Sequence, residues 1–293
     1  MYQTKPYEYM VKYTQQKSWI DGRGVFIAFA FFLGGISGGL FMAAAYFNSV
    51  LGMFIAICLS ALMGLSYMIH LGQPMLFWRM VSKPQTSWIS RGFIFIFLYG
   101  IFAIITVILA QWFPEATAAI TTFKVLAGIF AFAQSIYTGF AVSYVSAIKL
   151  WNSAILPILF VICGFSGGMA ILLGISLGGS ESQLALMENI TRITLITFAV
   201  ILTVYLWNAT YNNVSARDAV ARMLGGSIAA IFWVGVVVLG VLIPLGISIG
   251  TYFSDASSTA LIITAVVTEI IGGLALRYVI LKAGIYTPLT AGE

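Results

Sequence analysis

The chain has 293 residues, of which 61% are hydrophobic and only 8% charged, and its formal net charge is +5. Soluble domains carry roughly 25% charged residues, so this composition excludes a water-soluble globular fold and indicates a protein embedded in lipid. The single histidine excludes a haem with two histidine ligands, and the two cysteines exclude an iron–sulfur cluster held by about four.

Eight long apolar segments follow one another along the chain. A run of about 20 apolar residues can cross a bilayer, and it must be helical because lipid offers no partners for the backbone polar groups. The sequence therefore predicts an all-α integral membrane fold of eight transmembrane helices behind a polar N-terminal tail, residues 1–23. The apolar segments cover residues 24–48, 51–70, 89–112, 118–144, 155–178, 190–210, 224–253 and 260–281.

The first and fifth segments share a run of small residues, GISGG at residues 35–39 and GFSGG at residues 164–168. The two runs are separated by the length of about four helices, which is typical of a four-helix unit repeated in parallel. This spacing predicts two four-helix bundles, over residues 24–144 and 145–293. The alternative is coincidence, because small residues recur wherever membrane helices approach closely.

An even number of helices places both chain ends on one side of the membrane, here called side A. The connections after the second, fourth and sixth segments lie on the same side. Of the 14 lysines and arginines, all but Lys124 and Arg192 fall on side A. The positive-inside rule then predicts that side A is the cytoplasmic face of the inner membrane. The alternative explanation is that basic loops attract an acidic partner subunit.

The connection between the second and third segments is rich in polar and aromatic residues. His70 ends the second segment, and Trp78, Arg79, Trp88 and Arg91 follow at the level expected for lipid headgroups. Tryptophan and arginine at this level are typical of an interfacial belt. A lone histidine at a helix end can also exchange a proton near neutral pH, as quinol oxidation or quinone reduction at a membrane edge requires. Both interpretations of this histidine stay open.

The fourth segment carries an amide and a phenol on one helix face, because Gln134 and Tyr137 are three residues apart. Such groups can hydrogen-bond a carbonyl-bearing ligand within the membrane. They can equally well form hydrogen bonds between helices.

The eighth segment contains two ionisable residues, Glu269 and Arg277. Ionisable groups at membrane depth are costly and frequently functional. Their positions are compatible with a proton relay and equally with a structural ion pair inside the bundle, and both interpretations stay open.

These motifs together resemble the NrfD/PsrC family, the membrane subunits of polysulfide-reductase-type complexes. The resemblance extends over nearly the whole chain and includes its length and its eight-helix plan. The motifs that carry it are the small-residue run at 34–39, HLGQP at 70–74, FWR at 77–79, SWISR at 87–91, YTG at 137–139, and Glu269 with GGL at 272–274.

The resemblance implies two four-helix bundles with a menaquinone or ubiquinone site in the first. It implies a partner on side A, a four-cluster ferredoxin-like iron–sulfur subunit, and beyond it a molybdopterin catalytic subunit. The chain itself would be a non-catalytic quinone-binding subunit of an oxidoreductase complex, with no haem or iron–sulfur cluster of its own. No nucleic-acid partner is expected.

The resemblance also suggests roles for individual residues. Tyr137 is similar to the family's quinone-binding tyrosine, and we place Gln134 beside it. Some family members carry a histidine and an asparagine early in the first helix, where this chain reads VFIAFA at residues 25–30. His70 is then the leading candidate to hold the quinone head group. The loop residues expected to dock the partner or line the pocket are Trp78, Arg79, Trp88 and Arg91, and the residues expected to form a proton path are Glu269 and Arg277.

Two other classes of function fit the sequence. A secondary transporter or proton-conducting protein without a redox partner would use an internal repeat and a buried glutamate. A purely structural membrane anchor, with quinone chemistry in another subunit, would need none of these side chains.

Overall fold

The computed structural model describes residues 12–254 and 258–288, and within these ranges the protein contains eight helices long and apolar enough to cross a membrane. This confirms the predicted all-α integral membrane fold. The helices are α1 (Val25–Tyr46), α2 (Val50–His70), α3 (Trp88–Trp112), α4 (Thr117–Ser143), α5 (Ile155–Ile175), α6 (Glu181–Asn212), the short amphipathic α7 (Val214–Gly225), α8 (Ile231–Phe253) and α9 (Thr259–Ala283).

The helix bounds differ from the prediction mainly around α6, α7 and α8. Helix α6 begins nine residues earlier than position 190 because the polar residues of its first turns extend beyond the apolar run. The predicted linker and the start of the seventh segment instead form α7, which buries Ala216, Ala219 and Met223 on one face. The consecutive glycines Gly225 and Gly226 separate α7 from α8, as expected from the low helix propensity of glycine. Helix α8 is π-helical over Ile231–Leu242.

The transmembrane helices pack as two groups of four. Helices α1, α2, α3 and α4 contact one another in a closed ring, and so do α5, α6, α8 and α9. The groups meet mainly where α1 and α4 pack against α5, with a smaller contact between α1 and α9. Apolar side chains fill two clusters, one containing Trp151 and Tyr205 and the other containing Phe41 and Tyr99.

The shared small-residue runs lie at the contact between α1 and α5. A Cβ atom added to Gly39 would collide with the backbone of Gly164, and one added to Gly168 would collide with the backbone of Leu40. This close approach of two backbones is the use that membrane proteins make of paired small residues. The runs therefore serve helix packing, while an internal sequence repeat stays a prediction.

The two ends of the described chain meet at side A. Strand β1 (Thr14–Gln15) pairs antiparallel with strand β2 (Ile285–Tyr286), and Ile148 of the α4–α5 connection bridges to Tyr286. Both ends therefore lie at the same end of the helical bundle. The predicted polar tail, over its described residues 12–23, packs against the C-terminal end of α9; residues 1–11 lie outside the described range.

Candidate functional site: a cavity in the first helical group

A cavity of about 560 Å³ opens among α1, α2, α3 and α4 at side A. Small-molecule sites typically occupy roughly 300–1,000 Å³ and are mostly apolar with a few polar groups, and this cavity has that character. Its lining residues are Ser18, Trp19, Ile27, Phe31, Tyr67, His70, Leu71, Met80, Ile89, Phe93, Ile96, Tyr137 and Ala141. Two of the three predicted quinone-binding residues, His70 and Tyr137, thus line one cavity.

Tyr137 is positioned by a glycine on the neighbouring helix. Its side chain is 4% exposed, and its ring occupies the space that a side chain at Gly92 of α3 would need. Because Gly92 has no Cβ, the tyrosine ring can lie directly against the α3 backbone. Gly92 is therefore a position that shapes the cavity wall and that the sequence analysis missed, just beyond the end of the predicted motif at residues 87–91.

Tyr67 is a second polar lining residue that the sequence reasoning missed. It precedes His70 by three residues, so both lie on one face of α2; that spacing was the available signal. Its hydroxyl oxygen is buried and has no partner at ordinary hydrogen-bond geometry among the described residues, but the Tyr137 hydroxyl lies close enough to form a long, weak hydrogen bond with it. Because buried hydroxyls normally make at least one well-formed hydrogen bond, this weakly paired hydroxyl is a candidate contact for a ligand in the cavity.

His70 is held by the backbone of the segment before α1. Its Nδ1 lies 3.2 Å from the carbonyl oxygen of Arg23. A carbonyl can only accept, so Nδ1 carries the hydrogen of this bond. In the neutral ring Nε2 then has a free lone pair, which can accept a proton.

The N-terminal segment supplies two lining residues, Ser18 and Trp19. The indole of Trp19 packs on the ring of Phe31, with centroids 6.4 Å apart, and on Trp151, with centroids 5.3 Å apart. The sequence analysis treated this stretch only as part of a polar tail. Tryptophan followed by isoleucine within that stretch was the sequence signal that it packs against the protein.

Gln134 is not among the residues that line the cavity. Its amide is fully buried and forms an interhelical network: it accepts a hydrogen bond from Ser60 at 3.1 Å and donates to Gly34 and Ser37 at 3.3 Å. These bonds match the helix-packing interpretation of the sequence. A quinone contact by Gln134 stays a prediction.

The loop before α3 divides into an exposed part and a fixed part. Trp78 is 59% exposed and lies with Arg79 in the 3-10 segment Pro74–Ser82. Trp88, by contrast, stacks on Phe140 of α4 at a centroid distance of 4.6 Å.

Arg91 belongs to the fixed part of this loop. Its guanidinium stacks over the Trp88 ring and donates to the carbonyl oxygens of Pro84 and Gln85 at 2.8 and 2.7 Å. Arg91 thus fixes the loop residues Pro84 and Gln85, which connect the segment carrying the cavity residue Met80 to α3. None of the four predicted loop residues is itself a lining residue of the cavity.

Glu269 and Arg277 lie in the second helical group, apart from this cavity. Glu269 is 6% exposed and accepts a hydrogen bond from Ser166 of α5. It borders a small cavity of about 30 Å³, large enough for a water molecule, whose other ionisable lining residue is Glu188.

Arg277 does not pair with Glu269. The two residues are separated by about 12 Å along α9, given a rise of about 1.5 Å per residue. The Arg277 guanidinium is 1% exposed, stacks on the ring of Phe160 at 3.8 Å and donates to the carbonyl oxygen of the same residue at 2.7 Å. Its Nε and Nη1 have no hydrogen-bond partner within the described ranges. The structural ion pair considered from the sequence is thus not formed between these two residues.

Across the described residues, no group of three or more histidine, cysteine, aspartate or glutamate side chains is placed to hold a metal ion. The fold and the cavity define a multi-pass helical membrane protein with a cavity of small-molecule size among α1 to α4. The chain belongs to the NrfD family, described as polysulphide reductase, NrfD, and matches it over residues 14–289.

The chain has low sequence identity to three relatives. The chain is 25% identical to the protein NrfD homolog of Haemophilus influenzae, over 76% of this chain and 78% of the relative. It is 26% identical to protein NrfD of Escherichia coli, over 73% and 76%. It is 28% identical to the C subunit of polysulfide reductase from Wolinella succinogenes, where the match covers 56% of this chain and about half of the relative, 52%.

Proposed function

We propose that this chain is a quinone-binding membrane subunit of an oxidoreductase complex, and that the cavity among α1 to α4 is its quinone site. The observation that carries this proposal is the convergence of Tyr67, His70 and Tyr137 on one apolar cavity at the membrane edge. Family membership and the similarity to the C subunit of polysulfide reductase support the same conclusion.

The residues present fit a quinone. Aromatic and aliphatic side chains such as Phe31, Phe93 and Ile96 suit a flat apolar ring and its tail. The buried Tyr67 hydroxyl is only weakly paired, with the Tyr137 hydroxyl, and a carbonyl oxygen of the head group would accept its hydrogen. Menaquinone and ubiquinone both satisfy these requirements.

A bound quinone or quinol supplies the redox chemistry, taking up or releasing electrons and protons together. The chain's own residues bind, orient and handle protons. Tyr67 and Tyr137 donate hydrogen bonds that orient the head group. His70 accepts or returns a proton at Nε2, because its Nδ1 is committed to the Arg23 carbonyl.

We place the electron-transfer partner, a four-cluster ferredoxin-like iron–sulfur subunit, on side A, with a molybdopterin subunit attached to it. The exposed segment Pro74–Ser82, with Trp78 and Arg79, lies next to the cavity and offers an accessible contact surface. The excess of basic residues on side A favours the cytoplasmic face of the inner membrane for this surface.

The proposal also includes a proton path in the second helical group. Glu269 borders a cavity that has room for water, and Arg277 lies about two turns closer to side A. A buried carboxyl beside water can gain and lose a proton. The same arrangement would serve the alternative function, a proton-conducting protein without a redox partner.

The test compares variants of the intact complex in native membranes. Tyr137→Phe and His70→Ala are expected to lower quinol-dependent turnover about tenfold or more, while the soluble-dye activity of the catalytic partner is unchanged. Tyr211→Phe, at a tyrosine that is 73% exposed, is the matched control. Unchanged quinol turnover in both cavity variants would reject the site, and a protein that purifies alone without quinone would favour the proton-conducting alternative.

A further inference from the structure

The described part of the segment before α1 is held by several hydrogen bonds. Gln16 is 1% exposed. Its side-chain amide donates to the carbonyl oxygen of Leu281, its side-chain oxygen accepts from the backbone of Trp19 at 3.1 Å, and its own backbone donates to Gly284 at 3.0 Å. Three hydrogen bonds therefore fix this residue between the cavity segment and the end of α9.

Close backbone packing holds the rest of the segment against α1. A Cβ on Gly24 would lie 2.7 Å from the carbonyl oxygen of Ser18 and 2.8 Å from the carbonyl carbon of Trp19. Gly22 adopts a positive φ of 58°, a conformation that glycine accepts without strain. The backbone folds back tightly at these two glycines, and this turn places the Trp19 side chain in the cavity.

The C-terminal end of α9 forms the other half of this arrangement. The last carbonyl groups of a helix lack partners within the helix. Here the Gln16 amide bonds to Leu281, and the indole nitrogen of Trp151 donates to Ile280 at 2.8 Å. A salt bridge of 2.6 Å between Lys282 and Asp21 closes the outer surface.

We propose that Trp19 is a ligand-contacting residue of the quinone site that selects for the size of the head group, and that Gln16 is its positioning residue. This inference rests on the function proposed above. The Trp19 indole lines the cavity and packs edge-to-face with Trp151 at a centroid distance of 5.3 Å. An aromatic lining residue gains more contact from a two-ring naphthoquinone than from a one-ring benzoquinone, because the larger ring system buries more apolar area against it.

The experiment measures quinol oxidation by the intact complex with two probes, the two-ring menadiol, which has no tail, and the one-ring decylubiquinol, which has a decyl tail. Trp19→Ala is expected to raise KM for menadiol about tenfold, and KM for decylubiquinol severalfold less. Trp19→Phe should fall between the wild type and Trp19→Ala. Trp207→Ala, at a tryptophan that is 67% exposed, is the control and should change neither constant.

Gln16→Ala should shift the two KM values in the same direction as Trp19→Ala. Because Gln16 acts through Trp19, it should add little further change in the double variant. A purely structural role for Gln16 predicts less assembled complex with an unchanged ratio of the two KM values. An unchanged KM ratio in Trp19→Ala, with the complex assembled, would overturn the proposal.

A measurement on the unmodified protein covers the case in which these variants fail to assemble. Photolabelling with an azido-naphthoquinone, followed by trypsin, should label peptide 18–23, which lies between Lys17 and Gly24 and contains Trp19. Label on peptides containing Tyr67 or Tyr137 but not on peptide 18–23 would overturn this inference and leave the proposed function standing. Label on none of them would reject the proposed function itself.

Discussion

The ring of Tyr137 on α4 lies against the backbone of Gly92 on α3, in the space that any side chain at position 92 would need. The ring of this cavity residue can contact the α3 backbone because residue 92 has no Cβ atom. This contact also provides a steric way to move the tyrosine without removing its hydroxyl.

Gly92→Ala is therefore expected to displace the Tyr137 ring and lower quinol-dependent turnover of the complex about tenfold or more, since small misplacements of a binding group are costly. Gly100→Ala is the matched control, because it lies on the same helix with nothing within 4 Å of an added Cβ. Equal quinol turnover in the two variants would contradict the placement of Tyr137 against α3.

Tyr67→Phe is expected to separate ligand binding from stability. Its hydroxyl makes no well-formed hydrogen bond among the described residues and is only weakly paired with Tyr137, so its removal should change the thermal stability of the ligand-free protein little. The loss of one hydrogen bond to the ligand, worth roughly 0.5–1.5 kcal/mol, should raise KM for quinol about two- to tenfold. A large loss of thermal stability with an unchanged KM would indicate a packing role instead.

Arg91→Ala is expected to loosen the loop beside the cavity. The variant loses both hydrogen bonds to the carbonyls of Pro84 and Gln85 and the stacking on Trp88. Hydrogen–deuterium exchange over residues 83–90 should become at least severalfold faster, because each broken bond costs about 1 kcal/mol. Arg79→Ala, which removes an exposed side chain, should leave this exchange unchanged; a similar increase in both variants would argue against the bracing role of Arg91.

Glu269→Gln should assemble as well as the wild type, because an amide can still accept the Ser166 hydroxyl. The first helical group shows a comparable pairing, in which the Ser60 hydroxyl donates to the amide oxygen of Gln134 at 3.1 Å. Glu269→Leu leaves the Ser166 hydroxyl buried without this partner and should lower the stability by about 1–3 kcal/mol, measured by thermal unfolding.

If Glu269 carries protons, both variants lose proton transfer across reconstituted vesicles, measured with an enclosed pH-sensitive dye. Proton transfer retained in Glu269→Gln would remove this residue from the path.

The sequence predicted the features that depend on long apolar runs and on strong local motifs. All eight spans are confirmed, and so is the resemblance to the NrfD family. His70 and Tyr137 lie in one cavity, as expected from their positions at the side A ends of α2 and α4.

The features that depend on packing between distant parts of the chain escaped prediction. The role of Gly92 depends on a ring from another helix, and the burial of Gln16 depends on carbonyl groups at the far end of the chain. The start of α8 was wrong because the apolar residues around Leu224 continue the hydrophobic pattern across a glycine break. The sequence around Gln134 does not distinguish an amide that contacts a ligand from one that hydrogen-bonds to a neighbouring helix.

The pairing of β1 with β2 has a consequence for how this protein can be rebuilt. Each helical group begins and ends at side A, and the described chain ends are joined there by backbone hydrogen bonds. A circular permutant that links the paired segments β1 and β2 and opens the α4–α5 connection at an exposed position such as Ser146 would exchange the order of the two groups in translation. Every helix would keep its direction through the bilayer, so the order in which the groups are inserted could be reversed without inverting either of them.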